Sequence, residues 1–119
     1  MAGPRDAEIT PSPSAGEYLK IAHVNAESLR AHWTDFTAIM ARRGDDIMAI
    51  SETHLHPDHS DLSYMIPGYS IFRNDRTYSD GGGVAVYVRD GFRARVVNAS
   101  SATHEDRGEF LFLQVGEKT

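Results

Sequence analysis

The chain has 119 residues, 40% of them apolar, with a formal net charge of −5 and no cysteine. Such a length and apolar content fit one globular domain with a modest core. The acidic balance argues against binding nucleic acid through bulk positive charge, although a few arginines and a metal can grip phosphate in an acidic protein. The missing cysteine removes disulfide frameworks, thiolate nucleophiles and Cys-ligated zinc.

Residues 1–17, rich in Pro, Ser, Gly and acidic side chains, have little to bury and read as a disordered lead-in to a domain over 18–119. They contain no apolar run suited to a signal peptide or a membrane span, so no membrane association and an intracellular location, nuclear or cytoplasmic, are expected. Asn98-Ala99-Ser100 is formally a glycosylation sequon, read here as an ordinary polar turn.

Leu19 to Val24 is a short β-type run with apolar residues at both alternating positions, which predicts a strand covered on two sides. From about Leu29 the period changes: Leu29, Trp33, Phe36 and Met40 form one helical stripe. Ser28 is the expected N-cap, Arg42 and Arg43 suit the C-terminal dipole end, and Gly44 suits the left-handed residue after it. Ile47-Met48-Ala49-Ile50 predicts a second, buried strand. Strand, helix and strand in this order predict a parallel βαβ unit, whose strand ends share one edge of a sheet. Asn25 and Glu52 are the first polar residues past those ends, and are expected to face one crevice.

Beyond Glu52 the pattern turns to β. His54 to Ser63 reads as loop, Ile66-Pro67-Gly68 as a turn, and Tyr69 to Phe72 as a strand. The glycine turn at 80–83 precedes the strongest strand, Val84 to Val88. Asp90-Gly91 is a hairpin-type dipeptide, so the run through Val96 and Val97 is expected to fold back antiparallel on that strand. Phe110 to Val115 predicts a last strand, with no helix after it to cover its apolar side chains.

Two metal chemistries compete for SETHLHPDHSD at 51–61. His54-x-His56-x-Asp58-His59 is the spacing by which metallo-β-lactamase-type zinc hydrolases bind metal. That family's preceding Asp-x-Gly turn and following Gly-Gly pair are missing here, and a solvated, histidine-rich loop explains the same residues. A harder cation instead needs oxygen donors, which Glu52 and Asn25 supply as carboxylate and amide. Spacing alone leaves that reading level with a backbone cap and a turn residue.

The blocks LKIAHVNAESLR, DIMAISETHL, IPGYSIFRNDR and GGGVAVYVRDGF, in this order over about residues 19–97, resemble the endonuclease/exonuclease/phosphatase superfamily. More narrowly, they resemble the apurinic-like endonuclease domain of non-LTR retrotransposon polyproteins. The resemblance implies an α/β fold, the DNase I-like two-sheet sandwich with outer helices, of which this chain holds roughly the first half. It implies magnesium, or manganese in its place, held by Glu52, with Asn25 organising the metal and phosphate and Glu27 a further candidate ligand. Asn25 and Glu52 are thereby the implied catalytic residues. Arg73, Arg76 and Tyr78 fall in a block beside the family's substrate groove, where phosphate contact and a surface role are both open. DNA is the implied partner, with a reverse transcriptase fused in the full-length element.

Phosphodiester hydrolysis in that family also needs a general base and an oxygen-rich pocket, carried by a later Tyr, a Gly-Asp-x-Asn motif and a final Asp-His or Ser-Asp-His. None of these motifs occurs in the sequence. His104, Glu105 and Asp106 stand before the last predicted strand, out of order for the final pair. A partial domain without nuclease turnover is therefore expected. A zinc hydrolase and a half-domain without chemistry stand as the alternatives.

Overall fold

The computed structural model describes residues 18–101 and 109–117. The expected lead-in at 1–17 and the trio His104, Glu105 and Asp106 lie outside the described residues. In chain order the elements are β1 (Ile21–Asn25), α1 (Trp33–Arg43), β2 (Ile47–Ser51), a 3₁₀ turn (Asp61–Tyr64), β3 (Tyr69–Asn74), β4 (Val84–Arg89), β5 (Arg93–Ala99) and β6 (Leu111–Gly116).

β1 and β2 pair in parallel, with Ile21 opposite Ile47 and Asn25 opposite Ser51, so the expected βαβ unit is present. β2 also pairs antiparallel with β4, and β4 with β3, giving a mixed sheet in the order β1-β2-β4-β3. The alternation of side chains places Met48, Ile50, Ala85 and Tyr87 in the same core as Leu29, Phe36 and Met40 of the helical stripe. Trp33 packs against that core, its ring edge-on to Tyr64 at 5.1 Å. Burial pushes the Tyr87 phenol up, and its hydroxyl donates to the Tyr64 carbonyl at 2.6 Å.

Three sequence expectations are corrected. The helix starts at Trp33, not near Leu29, because residues 28–32 form a turn of their own. Ser28 caps that turn through its hydroxyl, which accepts from Ala31 N–H at 3.1 Å, and no side chain caps α1 itself. Gly44 does end the helix in the left-handed region, with its N–H on the Met40 carbonyl. β1 is an edge strand with one face open, and its Ile21 is 61% exposed, so it is not covered on both sides.

The third correction concerns the run after Asp90-Gly91. β5 does not return along β4; it pairs antiparallel with β6 in a separate two-stranded sheet. The reason is steric: β4 lies between β2 and β3, so neither of its edges is free. Only an isolated bridge, Asp90 to Phe92, remains of the expected hairpin. As expected, β6 and its neighbour carry exposed apolar side chains, Phe112 at 57% among them. No helix among the described residues is long and apolar enough to cross a membrane.

Candidate functional site

The parallel pair β1–β2 ends in a short stretch of backbone that departs from ordinary geometry. Glu27 (φ 43°), Ser28 (φ 87°), Glu52 (φ 55°) and His54 (φ 58°) are the non-glycine residues with positive φ among the described residues. All four lie just past the C-terminal ends of β1 and β2. Each such conformation costs on the order of 1–3 kcal/mol and persists only where the surroundings over-determine it.

The surroundings here are a ladder of backbone hydrogen bonds. Ala26, Ser28 and Leu29 donate to the carbonyls of Ser51, Glu52 and Thr53 at 2.9, 3.0 and 2.9 Å. On the other side, Thr53 and His54 donate to Gly83 and Gly82 at 3.2 and 2.8 Å. The glycine turn thus braces the strand end that bears Glu52. A Cβ on Gly83 would stand 2.5 Å from the Thr53 hydroxyl, and one on Gly82 would stand 2.4 Å from the Arg76 guanidinium. Both glycines have positive φ, so backbone conformation and space demand the same residue.

Asn25 and Glu52 stand on neighbouring strand ends at this edge, since Asn25 is the register partner of Ser51, but Asn25 lines a groove against α1 of which Glu52 is not part. The Asn25 side-chain oxygen accepts from Glu27 N–H at 3.1 Å. Glu52 is 42% exposed at its side chain, and one carboxylate oxygen meets His54 Nε2 at 3.0 Å. Its other oxygen has no hydrogen-bond partner among the described residues. A half-exposed carboxylate on strained backbone, with an amide oxygen held by Glu27 N–H on the neighbouring strand end, is a donor set of the kind a hard divalent cation uses when it keeps most of its waters. Glu27 joins through its backbone, and its side chain lines a shallow groove with His32 and Asp35 on the helix side.

The three histidines of the zinc-like pattern do not converge. His54 turns to Glu52, whereas His59 Nδ1 accepts from His56 N–H at 3.0 Å and His56 Nδ1 accepts from Asp58 N–H at 3.3 Å. These imidazoles shape their own turn. Among the described residues, no group of three or more His, Asp or Glu side chains gathers as a metal cage.

Arg73 and Arg76 differ in how their donors are used. All five N–H groups of Arg73 are engaged, by Asp75, Asp61 and the carbonyls of His56 and His59. It is 10% exposed and pins the 56–61 loop to β3. Arg76 instead forms a two-pronged pair with Glu109, at 2.9 and 3.0 Å, and lies 5.2 Å over the Tyr78 ring. The Tyr78 hydroxyl also donates to Glu109, at 3.0 Å. Sequence reasoning missed Glu109, because a lone Glu ahead of a strand carries no local signal of an arginine so far back in the chain.

The fold is α/β, a mixed sheet and a second sheet with few helices, and it is part of the DNase I-like architecture. It is similar to the crystal structure of the AP endonuclease LMAP from Leishmania major, with a TM-score of 0.60 and 21% sequence identity. That likeness covers 82% of this chain and 34% of the longer one, so the chain spans about a third of its structural neighbour. No family model and no curated protein matches the sequence.

Proposed function

We propose that the chain carries the metal-binding edge of a phosphodiester-hydrolysing DNA endonuclease domain. One observation supports this most: the strained, over-braced backbone that presents Glu52 beside Asn25, at the strand edge where α/β proteins place their sites. Glu52 is the principal ligand for magnesium or manganese, Asn25 supplies an amide oxygen, and Glu27 a second carboxylate nearby. The cation, when bound, neutralises charge on the phosphate and on the departing oxygen.

The chain's own residues account for binding and orientation. Asn25 and Glu52 hold their donors rigidly, and Arg76 with Tyr78 borders the same edge to meet DNA phosphates. Arg73 serves the site indirectly by fixing the 56–61 loop. No residue of the sequence motifs that deprotonate water in the family is present, so the chain binds metal and phosphate without turnover. The four sequence blocks support an origin in a non-LTR retrotransposon polyprotein, with a reverse transcriptase in the same element. Nucleotide sequence following the codon for Thr119 checks that origin directly.

Titration calorimetry with Mn2+ tests the site. One weak site is expected on the intact chain, lost in Glu52→Gln and retained in His56→Ala. Robust magnesium-dependent nicking of supercoiled plasmid by the 119-residue chain would contradict the expected lack of turnover. Stoichiometric zinc that depends on His54 and His56 would favour the zinc hydrolase instead.

A further inference from the structure

We propose that Glu109 is a positioning residue that aims Arg76 at a DNA phosphate beside the Glu52 edge; this deepens the reading above and rests on it. The Glu109 carboxylate is saturated by hydrogen bonds. Oε2 accepts from Arg76 Nε at 2.9 Å and from the Tyr78 hydroxyl at 3.0 Å, while Oε1 accepts from Arg76 Nη2 at 3.0 Å and from Gly83 N–H at 3.2 Å. A carboxylate this well bound holds the guanidinium plane in a single orientation. The glycine turn is shaped around that plane, since any Cβ on Gly82 would collide with the guanidinium.

The pairing consumes the Nε and Nη2 side of the fork. Nη1 has no hydrogen-bond partner among the described residues, and its surroundings show where it points. A Cβ built on Gly81 would lie 3.9 Å from Arg76 Nη1 and 3.8 Å from His54 Nε2, and that same imidazole nitrogen meets Glu52 at 3.0 Å. Arg76 Nη1 and the His54 imidazole therefore flank Gly81, with Glu52 joined to that imidazole by its hydrogen bond. A guanidinium whose Nη1 keeps both its N–H donors, held in one orientation with a carboxylate nearby, suits a phosphodiester oxygen. Glu109 touches no substrate in this arrangement. It acts through Arg76.

The test is a double-mutant cycle on DNA binding by the full chain, in EDTA so that no metal contributes. A short fluorescent DNA duplex is titrated at several salt concentrations by anisotropy, with a melting curve for every variant. Arg76→Ala is expected to weaken binding several-fold and lower the salt slope by about one, the loss of one phosphate contact. Glu109→Gln, which keeps shape and loses charge, is expected to produce most of the same loss. The double variant is expected to bind no worse than Arg76→Ala alone, because both changes remove one contact. A merely structural role for Glu109 would give additive losses, or a lowered melting point with an unchanged salt slope, and either result overturns the proposal. Should the intact chain show no salt-dependent DNA binding, the proposal falls together with DNA as substrate. Additive losses with intact binding bring down the Glu109 proposal alone.

Discussion

The two sheets are held by different physics. The four-stranded sheet and α1 share a core in which Leu29, Phe36, Met40, Met48, Ile50 and Tyr87 are buried. β5 and β6 contribute nothing to that core, and none of their residues is fully buried. Polar clamps tie them to the first sheet instead. Asn74 Nδ2 reaches the Ser100 carbonyl, the Ser100 hydroxyl and the Phe110 carbonyl at 2.9–3.0 Å, and Arg76 pairs with Glu109. The candidate metal edge belongs to the first region, whereas the residue that aims Arg76 belongs to the second. The backbone at Glu52 is braced mainly from within the first region, with Glu109 adding one bond to Gly83 N–H in the glycine turn, while placement of Arg76 depends directly on Glu109.

The contrast is broken most forcefully in the core. Ile50→Ala is expected to cost about 2–5 kcal/mol, read as a lower denaturation midpoint, because it leaves a cavity among large side chains. If it cost as little as a surface change, burial would not be what holds the first sheet. Gly83→Ala ranks next, at roughly 1–3 kcal/mol, since it imposes a strained φ and drives Cβ into the Thr53 hydroxyl. It should also weaken Mn2+ binding through the backbone of Thr53 and His54, which calorimetry would detect.

Asn74→Ala sharpens the comparison from the other side. It removes bonds that span the two sheets, with an expected cost of about 1–2 kcal/mol felt in β5 and β6 rather than throughout. Amide hydrogen exchange should accelerate in 93–99 and 111–116 and leave β2 and β4 protected. Uniform acceleration would show a single cooperative unit.

Acidification tests the same clamp. Its hydrogen bond to Arg76 holds the Glu109 carboxyl below the usual carboxylate range, aided by Gly83 N–H and Tyr78 and opposed by burial. A folded-state pKa that is depressed contributes stability above the unfolded value and loses it as pH falls through the folded value. Protection of β5 and β6 should therefore be full at neutral pH and decline only below the ordinary carboxylate pKa. Glu109→Gln should weaken that protection at neutral pH and remove its share of the acid dependence. The smallest effect belongs to Phe112→Ser, expected within about 0.5 kcal/mol because the ring already lies mostly in solvent.

Much of the first region was legible in the sequence because local pattern and burial agree there. The Leu29–Met40 stripe, the Gly44 stop, the parallel return at Ile47 and the glycine turn at 81–83 each carry a local physical cause. The helix start was not legible, because Ser28 is chemically a good cap and only tertiary bonds to Glu52 and Thr53 divert residues 26–29 into a turn. β5 was misassigned because Asp90-Gly91 reports a turn but not whether the neighbouring strand has a free edge. Asn25 and Glu52 could be placed from parallel pairing alone. The Arg76–Glu109 pair could not, since it joins two sheets whose contact leaves no periodic trace.

Glu52 is the proposed metal-binding residue, and paramagnetic broadening by substoichiometric Mn2+ in an amide NMR spectrum tests that most directly. Broadening should centre on residues 25–27 and 51–54 and vanish in Glu52→Gln while the spectrum otherwise stays folded. Broadening centred on the 56–61 loop, or unchanged by Glu52→Gln, would contradict it.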